Sequence, residues 1–225
     1  MSLHRTFEFL NELKENNHRD WFQTHKDAYT QAHEEMIEFA NQLLDEMRIF
    51  DHIETVSGKK SLFRIYRDVR FSNNKQPYKT SWSGSFKRAT SALRGGYYYH
   101  IEPGNTFIAG GFFGPNPSDL KLIRNHLDLD DTPLREVLDS SMIKSFFGAL
   151  AGEQVKTAPR GFSVDHPAID LLRYKQFMLR HNYVDTEVLQ EGFSTKMAEG
   201  FQNLTPFFDV MSEMLTTDLN GNSTI

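Results

Sequence analysis

The chain has 225 residues, 39% of them hydrophobic and 24% charged, with a formal net charge of −5 and no cysteine. That length supports a sizeable core in one large domain or two small ones. The composition excludes disulfides, thiolate metal sites and cysteine nucleophiles, and no apolar run approaches the roughly 18 residues that cross a bilayer. The opening residues lack the apolar stretch of a secretory signal, so a cytoplasmic protein is expected. No repeat, low-complexity tract or long linker interrupts the sequence, and a single domain over residues 1–225 is expected.

The charge is unevenly spread. Between Lys59 and Arg94 ten Lys/Arg face one acidic residue, Asp68, giving +9, while the segments before and after each carry −7. An acidic chain with one basic segment suggests local recognition of an anion. The alternative is that these cations pair with carboxylates elsewhere in the fold.

Residues 6–50 read as helical. Thr6 is positioned to cap a short helix carrying Phe7, Leu10 and Leu13, which Asn16-Asn17 stops. A second start falls at residues 18–21. A longer helix over about residues 24–47 lines up Ala28, Tyr29, Ala32, Met36, Phe39, Leu43 and Met47 as a buried stripe. Residues 60–114 change period. Residues 62–71 alternate as a strand does, with Leu62, Arg64, Tyr66, Asp68 and Arg70 on one face and Phe63, Ile65, Arg67, Val69 and Phe71 on the other. An irregular loop follows, then short aromatic strands at 82–88, 96–102 and 106–112, whose close spacing favours antiparallel pairing.

Residues 116–218 return to helix. Starts are expected near Asn116 or Ser118 and at Thr132-Pro133, with a short strand at 154–157. A further helix should run from Pro167 through Leu171, Leu172, Lys175 and Met178. The last helical stretch, 193–215, divides at Pro206. The fold class expected is α+β, a central antiparallel sheet flanked by N-terminal and C-terminal helices.

The strongest local signal is Arg64-Ile65-Tyr66-Arg67-Asp68-Val69-Arg70-Phe71-Ser72, followed by Lys75, Tyr78 and Lys79. Guanidinium groups suit bidentate binding of carboxylate or phosphate oxygens. Arg64, Arg67, Arg70, Lys75 and Lys79 would supply charge, and Tyr66 and Tyr78 hydrogen bonds or stacking. Asp68 would neutralise part of that charge and fix a rotamer. Arg67 shares the apolar face, and a buried arginine needs a partner, so an ion pair to a helix carboxylate is its structural reading. Basic residues interleaved with aromatics also fit nucleic acid, but the acidic flanks argue against a long polyanion.

His100 is the best acid–base candidate, because histidine titrates near neutral pH. His100 and Glu102 share a strand face, and Asp165-His166 forms a second pair, but no metal-binding signature exists and no metal is assigned. Nucleophile-elbow and phosphate-loop motifs are missing as well.

Long stretches resemble the family known as domain of unknown function 2461. They are Phe9-Leu10-x-x-Leu13-Lys14-x-Asn16-Asn17-x-Arg19-x-Trp21-Phe22, the segment Phe63 to Ser72, and Lys75-x-Pro77-Tyr78-Lys79-Thr80. Gly96-Tyr97-Tyr98-x-His100-Ile101-Glu102-Pro103-Gly104, Pro159-Arg160-Gly161-Phe162, Asp165-His166-Pro167 and Leu171-Leu172-Arg173-Tyr174-Lys175 complete the pattern. The resemblance covers roughly residues 6–215. It implies a shared architecture and brings no reaction, cofactor or catalytic residue with it.

The residues therefore lead to a domain that binds a small anionic ligand, bearing phosphate or carboxylate, with His100 in a proton-transfer role. An interaction module for an acidic protein or short nucleic acid is the rival. Neither cofactor, membrane contact nor oligomeric state is assigned by the sequence.

Overall fold

A computed structural model describes residues 2–225. Eleven helices and four strands follow in the order α1 (His4–Glu15), α2 (Arg19–Thr24), α3 (Lys26–Met47), α4 (Gly58–Ser61), β1 (Trp82–Lys87), β2 (Gly96–Ile101), β3 (Thr106–Phe112), α5 (Pro117–Leu129), α6 (Thr132–Asp139), α7 (Ser141–Phe146), α8 (Ile169–Leu172), β4 (Phe177–Tyr183), α9 (Asp185–Val188), α10 (Phe193–Gln202) and α11 (Thr205–Thr216). The strands form one antiparallel sheet in the order β1-β2-β3-β4, so the fold class is α+β. The chain divides into two compact units, each drawn from three separate stretches of sequence.

The first unit holds the residues up to Phe86, Tyr98–Ile108 and Asn182–Glu199. Here α1 lays Phe7, Leu10 and Leu13 against Ala32, Met36, Phe39 and Leu43 of α3, all buried. Burying each large apolar side chain contributes about 1.5–3 kcal/mol. Thr6 does not cap α1, because the helix begins two residues earlier. Its backbone N–H (2.8 Å) and hydroxyl (2.6 Å) both donate to Glu35 of α3, which satisfies an orphan donor of the first turn. His18 does cap α2, its Nδ1 accepting from the Trp21 amide at 3.3 Å. Gly58 lets α4 approach α3 closely. Its N–H donates to Asn41 Oδ1 at 2.7 Å, and a Cβ there would collide with the Ala40–Asn41 backbone.

The second unit holds Lys87–Tyr97, Ala109–His181 and Gly200–Ile225. Phe208 of α11 packs edge-on to Tyr97 (4.9 Å) and Phe112 (6.2 Å), and Tyr97 also meets Phe201 edge-on at 5.1 Å. Gly111 (φ 143°) sits where β3 runs so close to β4 that a Cβ would meet the Phe177 carbonyl. The expected helix from Pro167 is only α8, one turn long. Residues 177–183 are the strand β4 instead, because Phe177, Leu179 and Tyr183 are buried at alternate or near-alternate positions, with exposed Arg180 among them. The strand expected at 154–157 reduces to a single bridge, Gln154 to Tyr174.

Candidate anion site

Residues 62–71 do not form a continuous strand. Two isolated antiparallel bridges, Leu62 to Gly84 and Tyr66 to Tyr78, hold them, with backbone bonds from Lys79 to Ile65 (2.8 Å) and from Arg67 to Pro77 (2.9 Å). The turn beyond is built by Asn74, whose Oδ1 accepts the Gln76 amide at 2.9 Å. That turn delivers the Gln76 carbonyl to Arg67 Nη1 at 3.3 Å. Arg67 is thus half-buried and bonded to a carbonyl. It forms no ion pair among the described residues, contrary to the helix carboxylate expected for it.

The other cations of this segment separate into two groups. Arg70 is occupied: its Nε and Nη2 donate to both oxygens of Asp68, at 3.0 and 2.7 Å. Those bonds hold the Asp68 carboxyl below its usual range. Lys75 Nζ donates to the Val69 carbonyl at 3.1 Å. Arg64 and Lys79 form the other group. Neither has a carboxylate partner among the described residues. Partial burial, and after it the charge of Arg64, pulls the Lys79 ammonium below its usual pKa.

Lys79 lies 5.8 Å above the Phe63 ring, and Phe63 is 6.4 Å from the Tyr98 ring. Tyr98 opens a chain of polar groups along β2. Its hydroxyl is 3.1 Å from His100 Nδ1, and His100 Nε2 is 3.1 Å from Glu102 Oε2. With Nε2–H donating to Glu102, Nδ1 accepts from the phenol. Glu102 also accepts from Thr80 (3.0 Å) and Asn105 (2.7 Å). Burial works to raise its pKa, but these bonds and that from His100 outweigh it and hold Glu102 below the ordinary carboxylate value. Because Thr80 follows Lys79 directly, the basic segment and the His100 chain are brought together. Phe63, Thr80, Tyr98 and Glu102 were missed as site residues. The i, i+2, i+4 spacing of Tyr98, His100 and Glu102 on one strand face is the signal that could have found the set.

Tyr66 and Tyr78 face the helices. Tyr78 is buried and stacks on Phe22 at 4.0 Å, and its hydroxyl pKa is raised by burial and by Tyr66. Tyr29, next to them, is raised for the same two reasons and carries Lys26 over its ring at 4.5 Å. His33, one helical turn further along α3, has its pKa lowered by burial and by Lys59. Its buried Nδ1 has no hydrogen-bond partner. Lys26 and Lys59, whose charges both act on His33, have no carboxylate partner among the described residues.

Among the described residues no three His, Asp or Glu side chains are grouped to hold a metal ion. His166 is bonded within its own segment and to α5: its Nε2 meets Asp128 at 2.8 Å, and its Nδ1 accepts the Ala168 amide. A cleft of about 490 Å³ lies within the second unit, lined by Arg135, Asp170, Arg173 and Tyr174 among others. Its Arg135 is already bound by two carboxylates, Asp131 and Asp170.

Residues 5–209 match the model of a family described as a conserved hypothetical protein, DUF2461, and the chain belongs to that family. No curated protein and no solved structure matches it.

Proposed function

We propose that the surface around Arg64 and Lys79 binds a small anionic ligand bearing phosphate or carboxylate. One observation carries this reading: neither Arg64 nor Lys79 forms an ion pair among the described residues, and burial, with the charge of Arg64 added to it, pulls the Lys79 ammonium below its usual pKa. Holding like charges together is unfavourable, and a bound anion would relieve it. Arg64 offers the bidentate fork and Lys79 a point charge beside it. If the ligand is turned over, the Tyr98–His100–Glu102 chain is the proton-handling group. Glu102 fixes the imidazole tautomer, and His100 accepts a proton through Nδ1 as Tyr98 takes one from the ligand. A cytoplasmic location belongs to the same proposal, and cell fractionation tests it.

The experiment is thermal unfolding of the wild type, Arg64→Gln and Lys79→Gln across a panel of anionic metabolites. A ligand at 100 times its Kd should stabilise the wild type by about 2.7 kcal/mol, and both variants should lose that gain. A gain undiminished in Arg64→Gln would overturn the proposal.

The rival reading, a docking module for an acidic protein or short nucleic acid, rests on Phe71. It is 95% exposed at the loop tip, with the Arg70 guanidinium 5.8 Å from its ring. Binding that collapses steeply with added salt would favour it over the small ligand.

A further inference from the structure

The cleft of about 490 Å³ in the second unit has the size of a small-molecule site, and its walls are held by the protein's own bonds. One wall is the loop after α7, tied to the chain that leads into β4 at three successive points. Ala151 exchanges both backbone bonds with Met178 (2.7 and 3.0 Å), Lys175 donates to the Glu153 carbonyl at 2.7 Å, and Val155 donates to that of Arg173 at 2.9 Å. The Tyr174 hydroxyl fastens the same loop by donating to the Leu150 carbonyl at 2.9 Å. A second wall is α6, whose Arg135 and Leu138 line the cleft.

Three cations line it, and two of them are neutralised by protein. Arg135 holds Asp131 and Asp170, and Lys144 Nζ is 3.0 Å from Asp139. Arg173 is the third. Its Nε donates to the Thr157 carbonyl at 2.7 Å, which pins the guanidinium plane. Its two terminal nitrogens have no hydrogen-bond partner among the described residues. A guanidinium anchored through Nε still presents an end-on pair of N–H donors, which a carboxylate can accept in two parallel bonds.

Charge and surface then select the ligand. The charge of Arg173 is the one left uncompensated in the lining, and Asp139 and Asp170 stand on the same walls. A phosphate dianion would meet those two carboxylates with one free cation to offset them, whereas a monocarboxylate matches that cation one for one. Beside the charge the cleft presents the half-buried side chains of Leu138 and Leu150. An apolar body laid on them leaves water, which favours binding.

We infer that this cleft is a second binding site, for a monocarboxylate with an apolar or aromatic body. The carboxylate sits end-on to Arg173 and the body lies against Leu138 and Leu150. The site is independent of the anion surface around Arg64 and Lys79, which belongs to the first unit.

The test is isothermal titration with benzoate, 3-phenylpropanoate and octanoate, each against its own amide, together with inorganic phosphate. At least one acid should bind about tenfold tighter than its amide, the factor that a hydrogen bond to a charged group supplies. Arg173→Gln should remove that margin, and Arg64→Gln should leave it within twofold. Because Arg173→Gln also cuts the tie to Thr157, amide NMR shifts of the wild type provide a second reading. On titration with the acid they should concentrate in residues 135–154 and 170–174. No binding by any of the three acids at millimolar concentration would overturn the proposal, as would shifts that fall outside those residues. Phosphate binding as tightly as the acids would overturn the choice of ligand class. Binding kept in Arg173→Gln and lost in Arg64→Gln would overturn this site in favour of the first unit's surface.

Discussion

Several arginines of the second unit and Arg64 of the first are treated in opposite ways. In the second unit Arg88, Arg94, Arg124 and Arg135 are structural. Arg88 is 4% exposed, lies 4.7 Å from the Phe208 ring and donates to the Arg94 carbonyl. Arg94 reaches Asp119 at 2.5 Å, Arg124 donates to the Leu172 and Tyr174 carbonyls, and Arg135 is clasped by two aspartates. In the first unit Arg64 and three lysines, Lys26, Lys59 and Lys79, have no carboxylate partner among the described residues. The division runs through the +9 segment itself, since Arg88 and Arg94 lie beyond Phe86 and are absorbed by packing. A run of positive charge in a sequence is thus not one feature. Part is scaffold, and only the remainder is available to a ligand.

Removing a scaffold arginine should have the largest effect. Arg94→Gln leaves a partly buried Asp119 without its partner and should cost about 2–4 kcal/mol in denaturant unfolding. Next comes the acid limb of stability. Bonding to Arg135 holds the Asp170 pKa below its usual value, so its contribution is complete above that value and is lost as pH falls through the lower folded one. Asp170→Asn should flatten the fall in unfolding free energy below about pH 4.

His33 runs on the same sign in a different window. Its folded pKa is depressed, so the unfolded chain takes up the proton first and stability declines as pH drops below about 6.5. In His33→Phe that slope should shrink when unfolding is followed from pH 7.5 to 5. The smallest effect is the sharpest test of the contrast. Arg64→Gln should change stability by less than about 0.5 kcal/mol, as an unpartnered exposed side chain does. A loss as large as that in Arg94→Gln would make Arg64 scaffold too and erase the difference. Asp68→Asn should leave the melting temperature unchanged and raise anion affinity, because it releases Arg70.

The sequence pattern showed the helices of the first fifty residues and the three aromatic strands, because long amphipathic stripes and strict alternation are local signals. It missed β4, whose Phe177, Leu179 and Tyr183 follow directly on Leu171 and Leu172 and extend an apparent helical stripe. It also over-read residues 62–71, where alternation is present but the facing chain at 72–77 is an irregular turn that cannot supply a full ladder. Arg64, Lys79 and His100 were legible as candidates from residue type and spacing. That Arg70 is occupied by Asp68 and Arg64 is not depends on rotamers, and Lys59 comes to act on His33 only through the packing of α3 with α4.

The chain passes between the two units five times, and every passage falls inside a regular element: β1, β2, β3, β4 and α10. No single peptide bond separates one unit from the other. Such a protein is not modular in the genetic sense. An exon boundary placed anywhere between residues 87 and 199 would divide both units at once. Change is left to point substitution and to the loops, and it is in a loop, residues 72–77, that the basic segment is already irregular.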